Sequence, residues 1–410
     1  MPGPAERTAA SGDRDPLHRF LLLYALAWAG TAIAYVPFLT ILLPVRVAGL
    51  AGPGQGVEWL AWITFAGALA ASAGHILFGW LSDVTGRRRP WAALGLLLSC
   101  LLLLAVARVG SLPGLLAVII AWQLALNMMM APLAALAGDV VPDARKGQLG
   151  GMMAFAPGCG ALSGMLVTLP GLASADARLA LVAGLVALCV LPVLLVRLPP
   201  ALLPALPVAS PPEARQTAPA PPNRAVRRMW LARLAVQIAE ATLFAYLYFW
   251  FRSVDAVMTD NRVATLFAII LVLSAPLALL AGRRADRRDQ PFVPLMLGAA
   301  AAAVGLAAMA AASSLATAIA AFSLFALASA AFLALHAAQT LRVLSRSDAP
   351  RRRLGREVGL FNLTNTIPSL IMPWLALGLV PRFGFPGLFL LLALLSLAGA
   401  LILGGLARRA

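Results

Sequence analysis

Apolar runs long enough to cross a hydrocarbon core of about 30 Å recur along this chain, and they limit its architecture more than any other feature. They occupy 18–44, 59–81, 91–109, 113–137, 149–170, 178–196, 229–251, 263–281, 292–311, 315–341, 358–380 and 386–407. Backbone N–H and C=O groups in lipid have no water to pair with, so each run must be a helix. Of the 410 residues, 61% are hydrophobic and 12% charged, more apolar side chain than a water-facing globule can bury. The run after the polar residues 1–16 is too long for a signal-peptide core, and no small-residue cleavage site closes it; an uncleaved first helix is expected.

The net charge of +16 comes almost entirely from arginine, with Lys146 the single lysine. The arginines sit between apolar runs, which makes them markers of orientation and excludes nucleic acid as the partner. With the N-terminus placed in the cytoplasm, 26 of the 32 basic residues fall on one side. Arg46, Arg108, Arg178, Arg252, Arg262 and Arg382 fall on the other. The positive-inside rule expects this bias of a correct span count, and it puts both termini in the cytoplasm. The scarcity of lysine beside arginine points to a GC-rich bacterial genome, hence an inner membrane. Cys100, Cys159, Cys189, His18, His75 and His336 are scattered, so no disulfide framework, metal centre or cofactor is expected. The chain has no phosphate loop and no serine-centred nucleophile motif, which argues against an enzyme.

The runs divide six and six around a proline- and alanine-rich stretch, 198–222, whose composition gives extended, weakly structured chain. The expected organisation is a cytoplasmic tail (1–17), a first bundle (18–197), a cytoplasmic linker (198–228) and a second bundle (229–410). The bundles echo each other. GWLSDVTGRRRP after the second run is matched by GRRADRRDQP after the eighth, with Asp83 and Asp286 203 residues apart. Asp143 after the fourth run and Asp348 after the tenth are 205 apart. Two landmarks at one offset indicate a duplicated six-helix unit.

The loop GWLSDVTGRRRP, its echo, the helix count and the central linker together resemble the major facilitator superfamily over essentially the whole chain. That resemblance implies an all-α membrane fold of twelve transmembrane helices in two six-helix halves, with helices 1, 4, 7 and 10 lining a central cavity. It also implies gating roles for Asp83, Arg87 and Arg88, and for Asp286 and Arg287 in the echo. RRRPW, ALAGDVVPDARKGQLGG and GLFNLTNTIPSLIMP look like the sucrose-transporter-like and glycoside–pentoside–hexuronide symporter branches, implying a sugar or glycoside solute and cation coupling. The melibiose-permease type carries acidic residues in helices 1, 2 and 4. Here helix 1 has none, helix 2 has His75, and helix 4 has Gln123 and Asn127, so the resemblance does not carry over a sodium site.

Polar groups inside a bilayer cost about 2.5–3.5 kcal/mol each when charged at mid-depth and persist where they face a cavity or a partner. In run 7, Arg233, Gln237, Glu240, Phe244 and Tyr248 share one helical face. Glu240 is the one carboxylate well inside a run, which makes it the candidate proton-coupling acid, with Arg233 as its partner. Tyr24, Trp28, Thr31 and Tyr35 share a face of run 1, and aromatic rings with polar tips suit sugar faces. Gln123 and Asn127 lie one turn apart in run 4; His336 and Gln339 mark run 10; Asn362 and Asn365 mark run 11, beside Thr366 and the kink-forming Pro368. These residues are candidates for substrate binding. Interhelical hydrogen bonding is the competing role for each.

The function expected is secondary transport of a small organic solute by alternating access, coupled to protons, by a monomer in a lipid bilayer. Export of an amphipathic compound is the alternative. A non-transporting binding or assembly factor on the same fold is a third possibility.

Overall fold

The computed structural model describes residues 16–52, 54–153, 155–196, 224–288, 292–345 and 351–407. Of the expected linker, 198–228, residues 198–223 lie outside them and 224–228 open a helix. All regular structure among the described residues is helical. Helix α1 runs from Pro16 to Leu50, longer than the run that announced it, and contains a π-helical turn at Phe38–Leu42. Pro44 has no N–H to donate and its ring crowds the preceding turn. Widening the helix there, with Leu43 N–H bonded to Phe38 O, relieves the crowding.

Four helices complete the first half besides α5. They are α2 (Gly56–Thr85), α3 (Arg88–Val106), α4 (Leu112–Val140) and α6 (Ala175–Leu195). Helix α5 comes in two pieces, Asp143–Met153 and Ala156–Val167. Local chemistry sets several ends. Gly86 adopts the left-handed region (φ 63°) that closes α2, so the chain reverses within two residues. Ser111 and Ser174 cap α4 and α6 by accepting from Gly114 N–H and Ala177 N–H. The second half holds α7 (Arg224–Val254), α8 (Asp260–Arg288), α9 (Val293–Ala310) and α10 (Leu315–Ser345). A continuous stretch, Arg351–Ala407, follows and breaks at Gly384 (φ 65°, ψ −174°) into α11 (351–383) and α12 (385–407).

Ten described helical segments are long and apolar enough to cross a membrane. The last of them, Thr366–Ala407, contains the Gly384 break and therefore comprises two arms. Helix α8 is the remaining long helix; its 29 residues reach about 43 Å.

The halves pack alike. In the first, α3 lies on α4, α4 on α2, and α1 on α5 and α6. In the second, α9 lies on α10, α10 on α8, and α7 on the α11–α12 stretch. Adding six to each helix number converts one set into the other, as the duplicated loops require. The halves meet through α2 with α11 and α5 with α8, two contacts interchanged by the same operation. Large leucines form outward stripes on the peripheral helices: Leu94, Leu97, Leu101 and Leu104 on α3, and Leu390, Leu394, Leu397 and Leu401 on α12, each more than 40% exposed. Stripes of that size on an outer surface fit lipid and not water.

Polar and aromatic contacts close the arginine-poor end. Arg178 of α6 pairs with Asp260 of α8. Asn261 Nδ2 donates to Met165 O and Thr168 Oγ1 (both 3.2 Å), and Trp374 of α11 stands edge-on to Trp62 and Phe65 of α2 (5.5 and 5.0 Å). Buried apolar residues of both halves merge into one cluster there. Toward the arginine-rich end, Met229, Val236, Leu295, Phe332 and Leu403 of the second half form a cluster of their own. Among the described residues, an apolar cluster thus joins the halves at one end, and none joins them at the other.

Candidate functional site

Between the halves, beneath the closed end, lies a cavity of about 1580 Å³. Its walls come from α1, α2, α4 and α5 of the first half and α7, α8, α10 and α11 of the second. The sequence reading placed helices 1, 4, 7 and 10 there; α2, α5, α8 and α11 join them, while α3, α6, α9 and α12 stay on the lipid side. Most of the lining is apolar. Its polar members are few: Tyr35, Thr40, Thr64, Ser72, His75, Gln123, Asn127, Cys159, Gln237, Glu240, Ser274, Thr366 and Ser369.

Close helix contact organises the first-half wall. Gly67 and Gly74 let α2 approach α4: a Cβ at Gly74 would sit 3.3 Å from Asn127 Cβ, and one at Gly67 3.5 Å from Gln123 Cγ. That approach sets His75 beside Asn127, with Nδ1 and Oδ1 3.2 Å apart. Asn127 Nδ2 in turn donates to Gln123 O (2.9 Å). On the facing wall, the half-buried Glu240 has Ser329 and Gln237 as side-chain neighbours and Arg233 within electrostatic reach. No arginine or lysine lines the cavity among the described residues, and Glu240 is its one carboxylate. Glu240 is thus the one formally charged side chain on the described lining, with Arg233 behind it.

The structure sorts the expected site residues. It brings Tyr35, Gln123, Asn127, Gln237 and Glu240 to the cavity, with Arg233 close behind. It places others in helix packing. Tyr24 is fully buried and donates to Leu133 O of α4 (3.1 Å). Trp28 stacks on Tyr24 (centroids 6.2 Å apart), and Thr31 donates back to Trp28 O (2.7 Å). This part of the α1 face therefore meets α4 and not the solute path. Tyr248 sits near the closed end, its ring 5.9 Å from the Arg252 guanidinium. His336 is fully buried, with Nε2 2.9 Å from Met229 O of α7, and Gln339 is buried one turn on; neither lines the cavity. The side chains of Asn362, Asn365, Asp286 and Arg287 lie outside the described residues.

At the signature loop, Asp83 pairs with Arg88. Arg88 also donates to Asp139 Oδ2 of α4 (3.1 Å) and to Ser82 Oγ (2.7 Å), while Arg87 precedes α3 and is exposed. These bonds stay inside the first half. Thr40, Thr64, Ser274 and Cys159 were missed by the sequence reading. Single hydroxyls and thiols in apolar helices give no periodic signal; Thr40 and Thr64 merely return their hydroxyls to Val36 O and Leu60 O.

A family model described as Major Facilitator Superfamily matches residues 20–349. Among curated proteins none matches the sequence. Solved structures match along nearly the full length. A bacterial homologue of the human lysosomal transporter Spinster, inward-facing and unoccupied, superposes with a TM-score of 0.68 at 14% identity, over 97% of this chain and 98% of that one. An auto-inhibited POT-family peptide transporter gives 0.69 at 13% identity, over 96% and 97%. A POT-family transporter in complex with 5-aminolevulinic acid gives 0.72 at 14% identity, over 95% and 96%. At such identities the likeness is one of fold.

Proposed function

Because the chain belongs to the major facilitator superfamily, and is thus a multi-pass membrane transporter, we propose that it carries a small amphipathic organic solute, neutral or cationic, by alternating access coupled to protons. The observation that carries this reading is the chamber itself: large, mostly apolar, placed between two repeated bundles, with one carboxylate and no basic side chain among its described lining. An apolar wall offers burial to a hydrophobic body, and the acid offers a pole for a positive charge or a proton. An anionic solute would meet the Glu240 carboxylate on the wall itself, with the Arg233 charge set back behind it.

Glu240 is the proposed coupling residue. Desolvation disfavours a lone carboxylate, while Arg233 favours it. The balance changes whenever the halves rock and re-wet the site, which is what a proton carrier needs. The arginine-rich end faces the cytoplasm of a bacterial cell in this reading, so the conformation described is inward-facing.

A sugar or glycoside is the second reading. Gln123, Asn127, Gln237 and His75 supply the amides and ring nitrogens it would need, but of the α1 face that suits sugar rings, Tyr24 and Trp28 lie outside the chamber and Tyr35 alone of its aromatics lines it. Reconstituted protein assayed for accumulation of labelled alkylamines, neutral amphipaths and glycosides, with and without a protonophore, separates the readings. Protonophore-sensitive accumulation of amphipaths is the expected result; flux of glycosides alone would overturn it.

A further inference from the structure

One pair of the cavity's polar groups has a fixed direction of hydrogen bonding. Asn127 fixes it on one wall. Its Nδ2 lies 2.9 Å from Gln123 O; turning the amide over would set two carbonyl oxygens against each other, so the nitrogen must be there and Oδ1 must face His75. Oδ1 can only accept. His75 Nδ1, 3.2 Å away, therefore carries the proton, and in the neutral ring Nε2 is left as a bare lone pair. His75 is exposed and lines the cavity. On the opposite wall, the Gln237 side chain lies beside the Glu240 carboxyl.

Two residues that line one chamber thus carry acceptors, His75 at Nε2 and Glu240 at its carboxylate. We propose that the group this cavity recognises is a primary or secondary ammonium on an apolar body, and that His75, through Nε2, is the specificity-determining acceptor of the first half. A substituted ammonium offers both the charge that Glu240 favours and an N–H donor for His75 Nε2. A quaternary ammonium has the same charge and no donor. This assignment rests on the transporter reading above and adds to it a solute class and a residue.

Two measurements test it. The chain has three histidines, His18, His75 and His336, so solid-state NMR of ¹⁵N-histidine-labelled protein in lipid vesicles can resolve each ring, with His75→Gln identifying its signals. In alkaline buffer His75 is expected to show a protonated Nδ1 and a bare Nε2, opposite to His336, whose Nε2 faces the Met229 carbonyl. A protonated Nε2 on His75 overturns the proposal. The second measurement compares binding of phenethylamine and phenethyltrimethylammonium to wild type, His75→Gln and His75→Asn. Glutamine reaches the Nε2 position with an acceptor; asparagine reaches only that of Nδ1. Phenethylamine affinity should fall about tenfold in the asparagine variant and stay within about threefold in the glutamine variant, while the quaternary probe responds to neither. Equal loss of both probes, or no loss in the asparagine variant, overturns the role of His75 while leaving transport of other amphipaths intact. Failure of phenethylamine to bind wild type overturns the ammonium class itself.

Discussion

At the residue scale, Glu240 and Gly95 illustrate two kinds of constraint. Glu240→Gln removes the titrating proton and keeps the shape. Solute exchange across proteoliposomes should therefore persist while proton-driven accumulation falls at least about tenfold, the size of effect expected when one ionisable group carries the coupling; unchanged accumulation would remove Glu240 from the mechanism. Gly95 is where α3 touches α4. A Cβ there would drive into the backbone of Met128 and Met129, which cannot swing aside as a side chain can. Gly95→Ala should cost about 1–3 kcal/mol, read as a lower midpoint of thermal unfolding in detergent. The polar residues themselves were legible in the sequence, but their directions were only half so. Helical spacing says which side chains share a face, yet not whether that face meets a cavity or a neighbouring helix. Tyr35 and Tyr24 belong to one stripe of α1, and the chamber takes the first while Leu133 O of α4 takes the second. In a bilayer both destinations look alike from sequence, because each is a dry place that tolerates a satisfied polar tip.

At the scale of elements, the apolar runs located the helices because lipid leaves the backbone no alternative. Their ends and breaks followed from chemistry that hydropathy does not register. The π-turn of α1 depends on Pro44, and the division of Arg351–Ala407 depends on Gly384, whose φ of 65° and ψ of −174° lie in a region open essentially to glycine alone. Gly384→Ala should cost about 1–3 kcal/mol and disturb the turn between α11 and α12. Gly378→Ala, in the same stretch but helical and with open space around it, should be neutral or stabilise by up to about 1 kcal/mol. Paired melts of the two variants check this, and equal midpoints would contradict it.

At the scale of the molecule, duplication was legible because the same loop chemistry recurs half a chain apart, and the packing of the halves repeats with the same offset of six helices. Which end is shut was not legible. It depends on Arg178 and Asp260, which stand in the first turns of α6 and α8 and belong to no signature. The pair is mostly buried, with side chains 15% and 21% exposed, so its loss should cost about 1–2 kcal/mol, between the values for exposed and buried pairs. Asp260→Asn should therefore shift the conformers about tenfold toward opening at the arginine-poor end, seen as faster labelling there by a membrane-impermeant maleimide. Exchanging the charges, Arg178→Asp with Asp260→Arg, should restore the slower rate; equal labelling in all three would show the pair to be a bystander.

The contrast between a chamber whose described lining carries one carboxylate and its arginine-crowded mouth has a kinetic consequence. A positively charged permeant drawn toward Glu240 from that face first climbs a repulsive barrier raised by Arg87 and the other arginines of that end, Arg88 being neutralised by Asp83 and Asp139. Dissolved salt flattens such a barrier within a Debye length of about 10 Å at 0.1 M. From the opposite face, where the basic groups are few and Arg178 is already spoken for, the climb is absent. Initial rates measured in the two directions should then diverge as the bathing electrolyte is diluted, so that the rim imposes a vectorial bias which the pocket alone does not possess.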